Sequence, residues 1–188
     1  NREGSLGNKF LFKKYNIDAK TCSLHTNEND QIISSELIRK SILSLDFKFV
    51  NLCLGRNWAL TGNVQKGDQN GRKLGFATAN LQLEKILNPK FGVYITNTRT
   101  MKQDGSDFTS ECMPSITNFG VRPTLDGKKK LFETHILDYK KFLKKNEIYD
   151  CRIYIEILGF LREEKKFKSF ENLKDQIFKD VETAKVFH

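Results

Sequence analysis

The stretch Gly71-Arg72-Lys73-Leu74-Gly75-Phe76-Ala77-Thr78-Ala79-Asn80 joins a glycine-flanked basic loop to a Thr-x-Asn pair. Glycines let backbone N–H groups come close to phosphate, and Arg72 and Lys73 add positive charge. Thr78 and Asn80, two apart on an extended chain, point the same way. They offer neutral oxygens to a hard cation such as Mg²⁺. No G-x-x-x-x-G-K-[ST] occurs in the chain, so any triphosphate site here is not a P-loop. Gly62 to Gly75 holds four glycines in fourteen residues, with Lys66, Arg72 and Lys73 among them. That composition suits a phosphate loop, and an ordinary hairpin loop still better. Taken alone, Thr78 and Asn80 read as turn-forming polar residues.

Two further segments carry chemistry. In Phe132-Glu133-Thr134-His135-Ile136-Leu137-Asp138, Glu133 and His135 project from one strand face. A carboxylate there can take a proton from an attacking alcohol. His135 either orients it or is a satisfied core histidine, the commoner case. In Phe160-Leu161-Arg162-Glu163-Glu164-Lys165-Lys166-Phe167, an arginine between aromatics can meet a flat ligand or a phosphate. The plain alternative is a charged connector.

The elements that must position these residues are mostly strands. Trp58 to Gln65, Gly92 to Thr98, Phe108 to Thr117, Leu131 to Leu137 and Cys151 to Leu158 show β-branched enrichment or alternation. Leu125-Asp126-Gly127-Lys128 reads as a hairpin turn. Five or six strands with short turns predict an antiparallel barrel or sandwich. Ser169 can cap a closing helix whose stripe is Phe170, Leu173, Ile177, Val181 and Ala184. Upstream, Ser34 or Ser35 is a good N-cap before Leu37, Ile38, Ser41 and Ile42 at helical spacing. Residues 1–45 carry too little apolar surface to fold alone.

The whole chain has 188 residues, a formal net charge of +9 and 15 Phe. That is enough for one domain, or one domain and a fragment. The charge points to an anionic partner or to a solvated basic surface. The lysine runs are scattered and form no nucleic-acid stripe. The four cysteines are widely spaced, and no apolar run is long enough to span a membrane. They read as reduced thiols of a cytoplasmic protein.

In this order, the segments resemble the riboflavin kinase family. Its signature is G-x-V-x-x-G, G-R-x-L-G-x-P-T-A-N, G-V-Y, N-I-G-x-R-P-T, E-x-H-x-x-D and L-R-x-E-x-K-F. This chain reads Gly62 to Gly67, Gly71 to Asn80, Gly92-Val93-Tyr94, Asn118 to Thr124, Glu133 to Asp138 and Leu161 to Phe167. The resemblance covers about residues 55–188. Ile33-Ser34-Ser35-Glu36-Leu37-Ile38-Arg39 resembles the segment that closes the FMN adenylyltransferase module of bacterial bifunctional enzymes.

The resemblance implies a mainly β fold: a six-stranded antiparallel Greek-key-type barrel with a C-terminal helix. It divides the chain into a partial α/β nucleotidyltransferase remnant over 1–45 and a kinase domain over 46–188. It implies transfer of the ATP γ-phosphoryl group to the 5′-hydroxyl of riboflavin, giving FMN. Thr78 and Asn80 would bind Mg²⁺, or Mn²⁺ or Zn²⁺ in its place. Gly67, Gly71, Arg72, Gly75, Thr78, Asn80 and His135 would hold ATP. Glu133 would be the general base. Arg122, Arg162 and Phe167 would lie on the flavin side. Ser34, Ser35 and Arg39 would be phosphate contacts of the remnant.

Two departures from the pattern stand out. Ala77 replaces the family's proline, which loosens preorganisation by about 0.4–1 kcal/mol without removing a ligand. Phe119 replaces the isoleucine of N-I-G. The upstream H-x-G-H-type segment of adenylyl transfer is also missing. The chain is therefore expected to be a piece of a longer bifunctional enzyme, without adenylyl transfer of its own. Its expected partners are small molecules, with neither nucleic acid nor membrane. The competing readings are a nucleic-acid-binding β-barrel and a flavin-binding module without catalysis.

Overall fold

A computed structural model of the chain describes residues 10–18, 23–65, 78–81, 83, 86–101, 107–108, 111–124, 127–138, 148 and 151–188. Two compact units divide at Ser34/Ser35. In the first, residues 10–14 form a single helical turn, and Thr26 bridges Ile32 across a tight turn. The Asn27 carboxamide oxygen accepts from the backbone N–H groups of Asn29 and Gln31 and so holds that turn.

The second unit opens with two helices, α1 (Ser35–Leu43) and α2 (Phe47–Leu54). Asp46 caps α2 by accepting from the Phe49 N–H at 3.1 Å. Six strands follow: β1 (Trp58–Gln65), β2 (Thr78–Leu81), β3 (Gly92–Thr100), β4 (Met113–Thr124), β5 (Gly127–Ile136) and β6 (Arg152–Arg162). They close into an antiparallel barrel in the order β1-β2-β5-β4-β3-β6. Closure leaves no sheet edge unpaired. The last helix, α3 (Phe170–Phe187), begins at Ser169, whose hydroxyl accepts from the Asn172 N–H.

Alternation along each strand sends one set of side chains inward and one outward. The interior holds Leu60, Val64, Ala79, Leu81, Tyr94, Phe119, Phe132, Ile153, Ile155 and Ile157. Phe119 and Phe132, paired across β4 and β5, stack with ring centroids 4.2 Å apart. The phenylalanine that departs from the family pattern thus fills the core. Ile42, Phe47 and Val50 of α1 and α2 join the same cluster. Asn51 fastens α2 to two strands: its oxygen accepts from the Trp58 N–H and its amide donates to the Ile157 carbonyl.

The outer wall of β3 and β4 shows Val93, Ile95 and Ile116, which α3 covers with Ile177, Val181 and Ala184. Phe170, expected on that stripe, is half exposed, because the first turn of α3 lies outside this cluster. The expected strand at Phe108 to Thr117 begins instead at Met113 and runs on to Thr124. The Asn118–Thr124 motif therefore lies in β4. Sequence reading had no β2 and no α2, each being short. The helix expected inside residues 1–45 packs through Ile42 with the barrel interior.

Candidate functional site

Register builds the site. Thr78 of β2 stands opposite His135 of β5, and Asn80 stands opposite Glu133. Directly paired residues share a face, with Cβ atoms about 4.5–5.5 Å apart. The four candidate side chains therefore form one block on two neighbouring strands. β4 extends it, since Asn118 is paired with Glu133 on one side and Val93 on the other. Val93 packs beneath α3, so the block lies on the outer wall of the barrel, beside that helix.

Thr78, Glu133 and His135 are half-buried, and Asn80 is 6% exposed. The Asn80 Oδ1 atom is buried without a hydrogen-bond partner among the described residues. A buried acceptor left unpaired costs about 1–3 kcal/mol. A hard cation is what such an oxygen suits, since Mg²⁺ takes oxygen ligands and keeps several waters. The donor set thus fits the implied cation through neutral oxygens. No cluster of three or more His, Cys, Asp or Glu suited to a metal occurs among the described residues.

The far end of this face is closed by charge. Arg162, at the end of β6, directs Nε and Nη2 at the Asp180 carboxylate of α3, the shortest contact being 2.7 Å. Its Nη1 donates to the Glu163 carbonyl. Gln176 donates to the same carboxylate at 2.9 Å. Asp180 is 3% exposed, so this is a buried fork-to-fork pair. Arg162 is thereby committed to α3. Phe167 lies half-buried in the connector that follows.

That connector has two more ties. The Lys90 ammonium lies 2.5 Å from the Glu163 carboxylate and holds it below the usual carboxylate range. Gly92 has φ +152°, and a Cβ there would strike the Arg162 carbonyl and the Phe160 ring. Beside it, the Tyr94 hydroxyl donates to the Lys90 carbonyl, and burial pushes the phenol well above its usual range.

Other expected residues lie elsewhere or outside the description. Gly67, Gly71, Arg72, Gly75 and Ala77 fall outside the described residues, as does the side chain of Arg122 in β4. Ser35 and Arg39 are exposed on α1, and Ser34 is exposed just before it. Sequence reading missed Asp180. Its signal was a carboxylate between Ile177 and Val181 on an apolar stripe, a place that demands a cationic partner.

Fold and face together define a class, a closed antiparallel barrel whose outer wall pairs neutral side-chain oxygens with a carboxylate. The comparisons with known proteins narrow it. A family model described as riboflavin kinase matches residues 54–188, and the chain belongs to that family. The matched residues are the family's riboflavin kinase domain. A bifunctional riboflavin kinase/FMN adenylyltransferase of Haemophilus influenzae is 37% identical over 157 residues, covering 84% of this chain and 47% of that protein. Its counterpart in Buchnera aphidicola is 32% identical over 187 residues, covering 96% and 56%. The chain spans about half the length of the curated relatives it matches.

Among solved structures, a riboflavin kinase from Trypanosoma brucei superposes with a TM-score of 0.50 at 25% identity, covering 69% of this chain and 78% of that one. A Streptococcus pneumoniae structure described as a macrolide-efflux protein reaches a TM-score of 0.73 at 27% identity, covering 93% and 53%. No helix among the described residues is long and apolar enough to cross a membrane.

Proposed function

We propose that the β2–β5 block is the phosphoryl-transfer centre of this kinase, with Glu133 as the base and Thr78 with Asn80 as the cation and phosphate ligands. The observation that carries the reading is the pairing of Asn80 with Glu133 in register. It brings the Glu133 carboxylate within one strand spacing of a buried oxygen that has no partner among the described residues. Glu133 takes the proton of the riboflavin 5′-hydroxyl as that oxygen attacks the γ-phosphorus of ATP. The bond to the β-phosphate oxygen breaks, and FMN, ADP and a proton result. Phosphoryl transfer asks mainly for such positioning and for charge stabilisation. When bound, the divalent cation (Mg²⁺, or Mn²⁺ or Zn²⁺) neutralises phosphate charge. Backbone N–H groups around Gly67, Gly71 and Gly75, with Arg72 and His135, complete the ATP side. Arg122, Arg162 and Phe167 belong to the flavin side, Arg162 acting by anchoring the connector to α3.

We further infer that residues 1–45 close an FMN adenylyltransferase module, with Ser34, Ser35 and Arg39 as its phosphate contacts, and that 46–188 is the kinase domain. The parent would then be a bifunctional, cytoplasmic FMN- and FAD-forming enzyme whose partners are small molecules. The test is FMN formation by the purified chain from riboflavin and ATP, with and without Mg²⁺. No FMN from the wild-type chain sinks the kinase assignment of the block. FMN formed at full rate after exhaustive chelation sinks the cation assignment of Thr78 and Asn80.

A further inference from the structure

Asn80, Glu133, Asn118, Val93 and Arg162 stand in one cross-strand row that runs over β2, β5, β4, β3 and β6. Paired residues share a face, so Arg162 lies on the same outer wall as Glu133, on the side away from Asn80. Three strand spacings separate it from Glu133, roughly 14–15 Å along the wall. β6 does not reach this row by regular pairing. Its ladder with β3 shifts twice, and Leu158 and Leu161 are skipped. Continued without shifts from the Thr96–Ile157 pair, the ladder would set Arg162 opposite Phe91, and the two bulges draw it back to Val93. Bulges beside a site re-aim side chains in this way.

Helix α3 holds both bulges. Leu158 and Leu161 pack into the cluster of Val181 and Ala184, with Ile177 beside them. Asp180 grips Arg162 through three contacts of 2.7 to 3.0 Å, and Gln176, one turn earlier, donates to the same carboxylate. The Arg162 and Asp180 side chains are 15% and 4% exposed. Gly92 admits the second bulge, since a Cβ there would strike the Arg162 carbonyl.

We propose that Asp180, supported by Gln176, is a positioning residue for phosphoryl transfer: through Arg162 it fixes the twice-bulged end of β6 in the row of Glu133. The inference rests on Glu133 as the base and Asn80 as a cation ligand, which put the nucleotide at the β2 end of the row. By order along the row, the β6 end is then on the acceptor's side of the base. Asp180 is 3% exposed, so it acts through Arg162 and not by contact with substrate. Transfer is sensitive to such placement, because a displacement of about 1 Å caused far from the chemistry can cost about 10²-fold. α3 is thus part of the reaction's geometry as well as a cover for the barrel.

Steady-state kinetics on the whole chain test this with Asp180→Asn, Gln176→Leu and Ala184→Gly, riboflavin and ATP being varied in turn. A merely structural loss lowers the folded fraction, which lowers the apparent kcat and leaves both KM values unchanged. Ala184→Gly, which loosens α3 away from the tie, should behave in that way. Asp180→Asn should lower kcat/KM for riboflavin by about 10–10²-fold through a raised KM, with the KM for ATP within about twofold. Gln176 is half-buried, and Gln176→Leu keeps the ion pair. It should raise the riboflavin KM by about threefold, and it decides the matter if Asp180→Asn does not fold. A riboflavin KM unchanged in the folded variants, or a rise shared with or confined to ATP, overturns the proposal. Glu133→Gln separates the two readings. It should abolish turnover, and retained turnover would remove the base by which the row is oriented.

Discussion

Strands β2 to β5 carry polar residues on both faces, and the two faces treat them differently. Inward, Thr96, Thr98, Ser115, Thr117 and Thr134 are fully buried. Their hydroxyls run in one chain: Thr98 to Ser115 at 2.9 Å, Ser115 to Thr96 at 2.8 Å, Thr96 to Thr117 at 2.9 Å and Thr117 to Thr134 at 2.9 Å. Outward, Asn80 keeps a buried oxygen without a partner among the described residues, one strand spacing from Glu133. Asn80 is nearly as buried as the inner hydroxyls, and among the described residues its oxygen is not satisfied as they are. A closed hydroxyl chain needs nothing from outside, so it belongs to the fold. An open acceptor beside a carboxylate carries a cost that a bound cation can remove.

Each way of breaking this contrast has its own sign. The largest effect belongs to the outer face. Glu133→Ala should lower kcat by about 10²–10⁴-fold. Thermal unfolding should shift little, because a half-buried strand residue is being trimmed without touching the hydroxyl chain. A variant that keeps near-wild-type turnover removes Glu133 from the mechanism. Next comes the charged closure of the same face. Asp180→Asn leaves Arg162 buried against a neutral amide, and breaking one partner of a buried pair costs about 3–5 kcal/mol. Urea unfolding should show that loss. A cost below about 1 kcal/mol would mean that the pair is solvated and that α3 is held by its apolar stripe alone.

Much of this contrast was legible in the residues, and its failures have causes. Alternation in Cys151 to Leu158 announced β6, Trp58 to Gln65 read as β1, and the Ser169 cap announced α3. Glu133 and His135 were readable because a one-residue spacing within a strand fixes a shared face. Their meeting with Thr78 and Asn80 was not readable. It depends on which strands become neighbours in a barrel, where β2 pairs with β5 after a long separation in sequence. β2 itself, at four residues, is too short for alternation to show. The hydroxyl chain hides for the same reason, since threonines alternating with apolar residues look like an exposed face until closure turns them inward. The Arg162–Asp180 pair was not readable, because Asp180 is 18 residues away on another element.

Within the hydroxyl chain, Thr117→Val is the sharpest change, because Thr117 bonds both Thr96 and Thr134. Valine keeps the shape and leaves both neighbours short of a partner. The expected cost is about 1–3 kcal/mol in urea unfolding. The KM for ATP should stay within about twofold once the protein is folded, because the outer ligands are untouched. A variant with full stability would show that the neighbours re-pair with each other, and that the chain of hydroxyls is redundant.

The smallest effect carries the opposite sign and tests the open acceptor itself. Asn80→Ala removes an oxygen that has no partner among the described residues. In the absence of nucleotide and divalent cation, the variant should be as stable as the parent, or more stable by up to about 1 kcal/mol. Adding Mg²⁺ and ATP should raise the thermal midpoint of the parent and raise that of the variant less, because binding to the native state alone stabilises it by mass action. Trimming a satisfied buried polar residue, by contrast, leaves its partner unpaired and costs stability. If Asn80→Ala lowers stability by more than about 1 kcal/mol without ligands, its oxygen is paired in solution. The outer face would then be as closed as the inner one, and the distinction between them would have to rest on Glu133 alone.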